Sequence, residues 1–558
     1  MLRNIYLTLL FVAFCGMLSA QKNKVEGLSD STEFYNTRIE NISFNSKPRV
    51  AMPEPDLTPT PRDLKYEPQE ISFKPKVSQP ELKVKMLDKP VWEKLQNNFV
   101  KAGFGLYLTP LLKVGVYSGR DLRKDWGAEF DHFSSFGGHV DNATFGDNAI
   151  RLKGRYIGNG NTFSTNISFR NFSYNAFGMV RDANLFENDK QWQDYIARSY
   201  SQLNIDLGVR KQNESSEKFF YEGIVRLQHY ADHFKNNEFF CSVLPSGKYK
   251  LSDSLWAKVS ANLTFGSMNQ QGQGRGAMFV EILPQVTYRK GIINVSAGLR
   301  INAVNDSAKT YLNIYPSVQA QLHLLPPYCT IYTGIDGRSM LNRRYDLADV
   351  NPWMAQQAFL RPSFERMRIF GGLKGSVEKL SYDVQISYRK VEDQWMFITA
   401  DRDTAIENQK ILARQFAVTY EKEFSEIAFS AQALYDIDKS LKIGAKVDYA
   451  NFTLPNGQFY FHQPNLRTKV WGNYTYEKKL TVGAGINYIG KRVANLDSKG
   501  QAQYLDGFFD LNIEGSYQLS ARISIFVEAN NLLNQAFQRW QFYPERKLDF
   551  RAGVFVRF

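Results

Sequence analysis

From residue 98 to residue 558, apolar side chains return at every second position in one segment after another. In "INVSAGLRIN", Ile293, Val295, Ala297, Leu299 and Ile301 share one face, and Asn294, Ser296, Gly298, Arg300 and Asn302 share the other. "AKVSANLTF" (257–265), "LKIGAKVDY" (441–449) and "FDLNIEGSYQL" (509–519) repeat the pattern. A period of two places alternate residues on opposite faces of a strand, so each segment reads as a β-strand with one apolar and one wet face.

Two architectures share that period: a soluble sandwich or propeller, and a membrane-spanning barrel. Many of the segments run to ten residues or more, and Phe and Tyr gather near their ends. No blade-length repeat is present. Strands of about 9–11 residues, tilted at about 45°, cross a bilayer, and aromatic girdles mark its interfaces. The aromatic content of 14%, with 41 Phe and 30 Tyr, fits those girdles although the mean hydropathy is only −0.39. No later run of about 18 apolar residues offers a helical span.

Short turn signals lie at 158–161 ("GNGN"), 288–291 ("YRKG") and 324–327 ("LLPP"), and long polar stretches at 173–195, 267–276, 341–362 and 451–465. Short turns at one end and long loops at the other describe an up-and-down outer-membrane barrel. The expectation is an all-β fold, a large antiparallel transmembrane β-barrel of roughly 18–22 strands over residues 98–558.

The N-terminal part reads differently. Residues 1–20 combine Arg3, an apolar run from Ile5 to Phe14 and Leu18-Ser19-Ala20, the pattern of a cleaved secretory signal peptide. Cys15 raises a lipoprotein alternative, but the bulky Phe14 precedes it where a small residue is wanted. Residues 21–97 hold nine of the 20 prolines, in runs such as "PEPDLTPTPRDLKYEP", and read as a largely irregular, proline-rich periplasmic arm with a short helix at "VWEKLQNN". Only Cys241 and Cys329 remain after the signal peptide; whether they pair is not readable from spacing.

The formal net charge of +13 favours contact with lipid phosphates or anionic solutes over nucleic acid, for which there is no motif. His229 and His233 have the i, i+4 spacing of a helical zinc pair, but on a strand they stand about 13 Å apart. "GQGRGA" (272–277) lies between two strand patterns and reads as a surface loop rather than a phosphate cradle. With no nucleophile, metal or cofactor motif, the chain is expected not to be an enzyme and to need no cofactor. Arg300, Lys442, Lys446, Asp448, Asp510 and Glu514 fall on wet faces and are the candidate lumen lining, able to tune selectivity.

In "KLDFRAGVFVRF", Leu548, Phe550, Ala552, Val554, Val556 and Phe558 share one face up to the last position, and Lys547, Asp549, Arg551 and Arg557 share the other. This segment resembles the C-terminal signal of bacterial outer-membrane proteins. The resemblance implies that Phe550, Val554, Val556 and Phe558 are read by the barrel-assembly machinery. Upstream, Gly490-Lys491-Arg492 follows a strand, Phe509-Asp510-Leu511 opens the next, and Asn531-Leu532-Leu533-Asn534 closes the one after. These motifs, over about 100 residues, are similar to the final strands of TonB-dependent receptors. That resemblance implies a Gram-negative outer-membrane location, contact with outer-membrane lipid and lipopolysaccharide, and solute transport. Such receptors carry a folded plug, and residues 21–97 show neither a plug pattern nor a TonB box. The expectation is therefore a plug-less relative acting as a pore, or a scaffold subunit whose lumen holds loops, arm or a protein partner bound through residues 21–97.

Overall fold

The computed structural model describes residues 98–558 except 120, 122, 179–180, 182–187, 213–217, 271–272, 306–308, 356–359, 400–403, 407–408, 412–413, 456–457 and 498. The signal peptide, the proline-rich arm and the "VWEKLQNN" helix lie outside the described residues.

Twenty-two strands form one antiparallel sheet that closes on itself. Each strand pairs with its neighbour in the chain, from Phe99–Gly105 round to Asp549–Arg557. The two end strands then pair with each other from Phe99↔Arg557 to Gly105↔Arg551. Closure is what lets such a sheet sit in lipid, because an open edge would leave unpaired N–H and C=O groups where no water can reach them.

Along every strand the pleat sorts the sequence. Leu299, Ile301, Leu312, Ile314, Phe429, Tyr449, Phe550 and Val554 are among the many exposed large apolar side chains, and they alternate with polar neighbours. An exposed apolar belt this extensive belongs against hydrocarbon. The polar set faces the lumen and forms cross-strand ion pairs there: Arg226 with Asp206 at 2.7 Å and Arg389 with Glu426 at 2.6 Å are two.

The two ends of the barrel differ. At the turn end, where Asn98 and Phe558 exchange backbone hydrogen bonds, connections are short. Asn159 (φ 50°) and Gly160 (φ 73°) make the two-residue turn between Phe145–Gly158 and Asn161–Asn175. Positive φ at both central residues is what a type I′ hairpin requires. At the loop end lie the long connections, residues 176–196, 341–362, 393–423, 454–465, 490–507 and 531–548. Among the described residues they carry two short helices, α1 (Asp189–Ile196) and α2 (Arg344–Val350), and small hairpins such as Gln394–Thr399 with Phe416–Glu421.

One expected loop is absent. Residues 267–270 and 273–276 pair directly, from Gln273↔Gln270 to Gly276↔Ser267, and only 271–272 lie between the strands Leu255–Gln270 and Gln273–Lys290. Polar, glycine-rich composition signalled a loop, yet the ladder needs only backbone, and here the strands run on.

The barrel seam depends on two glycines. Gly103 and Gly553 face each other across it, and the ring of Phe526 lies over both. A Cβ on Gly553 would stand 2.1 Å from the Ala102 carbonyl oxygen and 2.6 Å from Phe526.

Candidate functional site: a latched lid of loops

The loops of the open end carry the aromatics that the strands do not use. Phe397, Phe416, Val418 and Tyr420 of the long 393–423 connection are almost wholly buried, together with Leu347, Met354 and Leu360 of 341–362 and Tyr543 of 531–548. Trp353 stacks on Tyr543 with ring centroids 4.1 Å apart. Trp540 meets the edges of Phe397 and Phe416, each at 5.3 Å, and Phe177 meets Tyr543 at 5.2 Å. Each fully buried ring of this kind contributes about 2–3 kcal/mol of transfer free energy, so the loops hold one another as a small hydrophobic core.

Polar groups fix the arrangement. Arg492, 3% exposed, donates to the carbonyl oxygens of Gly490, Asp506, Gln538 and Arg539, which ties the 490–507 connection to 531–548. Burial lowers its pKa to about 10, and Arg539 adds to that. His462 packs against Trp540 at 5.0 Å and Phe416 at 5.4 Å, and its backbone N–H donates to Val493 O. Burial first, and Arg492 second, pushes its pKa down to about 3, so the imidazole is neutral at physiological pH. The Asn531-Leu532-Leu533-Asn534 motif turns the chain through two positive-φ asparagines, 48° and 52°, and the Asn531 amide donates to Gln535 O and Arg546 O.

The connection 341–362 reaches furthest. It leaves the strand Cys329–Met340 and returns to Ser363–Val377, yet its middle is bonded to the strands between 161 and 250. Helix α2 has Arg343 at its N-cap with no side-chain cap of its own. Glu238, 2% exposed in the strand Asn237–Lys250, takes that role from the other wall. Its carboxylate accepts from Arg344 N at 2.8 Å and Tyr345 N at 3.1 Å. First-turn N–H groups have no partner within a helix, and an anion there is stabilised by the helix dipole. Further along, Asp349 accepts from Arg170 (2.8 Å) and Tyr200 (3.0 Å), and Gln202 donates to Tyr345 O (2.7 Å). Arg343 donates to Gln228 at 2.7 Å, and Arg344 pairs with Asp232 at 3.5 Å. These contacts join residues more than 100 positions apart and make 341–362 a strap fastened on the far wall.

The sequence-predicted residues are placed elsewhere and apart. Arg300 pairs with Glu281 at 3.1 Å, Lys446 with Asp448 at 3.1 Å, and the well-exposed Lys442 with Asp436 at 3.6 Å. Asp510 lies 4.0 Å from Arg539, and Glu514 stands opposite Glu528 in the ladder. All six lie on the face away from the apolar belt but on three separate stretches of wall, so they do not converge. Phe550, Val554 and Phe558 are exposed on the last strand or just beyond it, and Val556 is half-buried. Cys241 and Cys329 are free thiols on different strands, and His229 lies on a strand while His233 begins the turn after it. Among the described residues no group of three or more His, Cys, Asp or Glu is arranged to hold a metal. Sequence reading missed Glu238, Asp349 and Arg170; only Arg492 carried a signal, its motif after a strand.

No family model matches the sequence, and no curated protein is similar to it. Solved structures are. The FrpB iron transporter from Neisseria meningitidis superposes with a TM-score of 0.65 at 11% identity, over 83% of this chain and 81% of that one. The ferric-catecholate import receptor Fiu from Escherichia coli K12, in its closed form, gives 0.62 at 9% identity over 83% and 82%. The ferric enterobactin receptor PfeA from Pseudomonas aeruginosa, as a mutant, gives 0.61 at 10% identity over 83% and 80%. The chain therefore has the fold of these receptors: a closed, outer-membrane-type barrel of 22 strands.

Proposed function

We propose that this protein moves solutes across the outer membrane of a Gram-negative bacterium through a barrel with no plug domain, and that the latched loops are its gate. In this reading the turn end faces the periplasm, with residues 21–97 as a periplasmic arm, and the loop end faces outward. The observation that carries it is the strap: a connection bonded across the opening by Glu238 and Asp349 is something a solute must pass, and something that can be released. The neighbours named as an iron transporter and as ferric-catecholate and ferric enterobactin receptors make iron chelates one class of cargo to try. The lumen face with Arg300, Lys442, Lys446, Asp448, Asp510 and Glu514 supplies the wet lining such passage needs.

A second reading is favoured by the same knot: a barrel sealed by its own loops and serving as the membrane anchor of a complex, joined through residues 21–97. Single-channel conductance in planar bilayers separates the two. The full chain, the chain lacking 21–97 and the double variant Glu238→Ala/Asp349→Ala are compared. Discrete openings that become frequent when the strap is released support the transporter. Silence of all three, together with stoichiometric partners on purification in detergent, supports the anchor.

A further inference from the structure

A small cavity lies under the strap, where the end of α2 meets the loop ends of the strands Asn161–Asn175, Ala197–Lys211 and Phe219–Asp232. Asn351 lines it from the strap and Arg198 from the wall. The space admits about one species the size of a water molecule. Asn351 is wholly buried. Its Oδ1 accepts from Trp353 N at 3.0 Å, which leaves Nδ2 as the other end of the amide, and that donor meets no acceptor among the described residues. A buried donor left without a partner is costly.

Arg198 is 7% exposed. Its Nη1 donates to the carbonyl oxygens of Tyr195 and Ala197, and its guanidinium carbon lies 4.6 Å and 5.5 Å from the ring centroids of Phe234 and Tyr195. Carbonyls and rings hold the cation without neutralising it. Among the described residues Arg198 makes no ion pair. The other titratable groups on the cavity do not offset its charge. Asp232 is matched by Arg344 at 3.5 Å, and its oxygens also accept from Phe234 N, Asn236 N and the Asn236 amide. Burial, and then Arg198, lowers the pKa of His233 below its ordinary value, so the imidazole adds no charge at neutral pH. Arg198 and Arg344 against Asp232 leave a single positive charge in excess. A charge taken out of water needs a counter-charge or a full set of hydrogen bonds.

We infer that this cavity is a binding site for one small monovalent anion of halide size, held between Arg198 of the wall and the Asn351 amide of the strap. The class of ligand follows from two limits: the room excludes larger oxyanions and chelates, and the excess is a single charge. Such an anion joins strap to wall and is a further fastening beside Glu238 and Asp349. The site goes beyond the transport reading and does not rest on it, since a strap can be fastened by an anion whether or not the barrel conducts.

The test uses the full chain in detergent, with bromide and chloride as probes. Crystals soaked in sodium bromide are expected to show anomalous scattering in this cavity. In solution, trypsin cleavage at Arg343-Arg344 should be about tenfold slower in chloride at about ten times its Kd than in gluconate of equal ionic strength, because only the fastened strap binds the ion. Asn351→Asp keeps the acceptor for Trp353 N and offers Arg198 a carboxylate in place of the ion, so its cleavage should be the same in both salts. Asn351→Ala, which removes the donor outright, is the second variant should the carboxylate disturb the strap, folding being checked by heat-modifiable migration on gels. Lys190→Gln, exposed in α1, should keep the wild-type response. Density for a water with no anomalous signal, equal cleavage of the wild type in both salts, or a salt response that both Asn351 variants retain, overturns the site. Conductance is scored separately: a barrel that never conducts removes the transport reading and leaves the anion site standing.

Discussion

Glu238 fastens the first turn of α2 to the barrel wall with two hydrogen bonds. Replacing it by alanine leaves the N–H groups of Arg344 and Tyr345 buried without an acceptor, at about 1–3 kcal/mol for each group stranded. The expected result of Glu238→Ala is release of the strap, and trypsin reads it directly. The Arg343-Arg344 pair, mostly buried in the native protein, should become a cleavage site, with the barrel itself still resistant. At the seam, Gly553→Ala forces a methyl group against Ala102 O and Phe526. Overpacking of this kind costs about 1–3 kcal/mol. It should lower the temperature at which the folded band on a gel converts to the unfolded one. His462 sets a pH dependence. Its folded pKa, near 3, lies below an unfolded value of about 6.5, so the lid keeps the neutral imidazole. That stabilisation is complete above about pH 6.5 and falls by about 1.4 kcal/mol for each unit below it, down to the folded pKa. Tryptophan fluorescence of the lid should therefore change between pH 7 and pH 5. His462→Asn, which suits the φ of 59° at that position, should flatten the response.

At the scale of elements, period-two alternation made the strands legible. "INVSAGLRIN" became most of Ile293–Asn305, with Leu299 and Ile301 on the belt and Arg300 bonded on the lumen side. The long connections at 341–362 and 451–465 were also legible from polarity, whereas 267–276 was not, because glycine and glutamine say nothing against a ladder made of backbone. The lid was the least readable part. Phe416, Trp540 and Tyr543 meet across more than 120 positions, and no local pattern encodes a contact of that span. Nothing in the sequence around Glu238 marks it apart from other carboxylates; only the closed barrel shows that a helix end lies against it. For the final strand, the pairing from Phe99↔Arg557 onward predicts that deleting 549–558 leaves strands Phe99–Gly105 and Ile523–Asn530 each with one edge unpaired and the ring open. Such a chain should fail to give the compact heat-modifiable band and should be degraded in cells.

At the scale of the whole molecule, a closed ring of 22 strands encloses more space than its own wall side chains can fill. The loops respond at one end only, by packing on one another and on the far wall. Basic side chains line both ends: Lys248, Lys250, Lys258 and Arg289 lie on the lumen face towards the turn end, and Arg344 and Arg343 are buried against Asp232 and Asp346 at the loop end. Ion selectivity measured in a salt gradient should then favour anions in the strap-released variant, and Lys248→Glu/Lys258→Glu should move the reversal potential toward cations.

The strap also bears on how such a ring is assembled. Glu238 and the backbone of α2 belong to stretches of chain more than 100 residues apart. Asn237–Lys250 and Cys329–Met340 stand five pairings apart in the ring, so the carboxylate and the helix end meet only once that stretch of sheet has formed and curled. A flat sheet leaves the carboxylate and the helix end each facing water, and a curled one brings them together. Fastening of the strap is therefore a record that this arc of the wall has curled, written in two hydrogen bonds that a flat sheet has no means of forming.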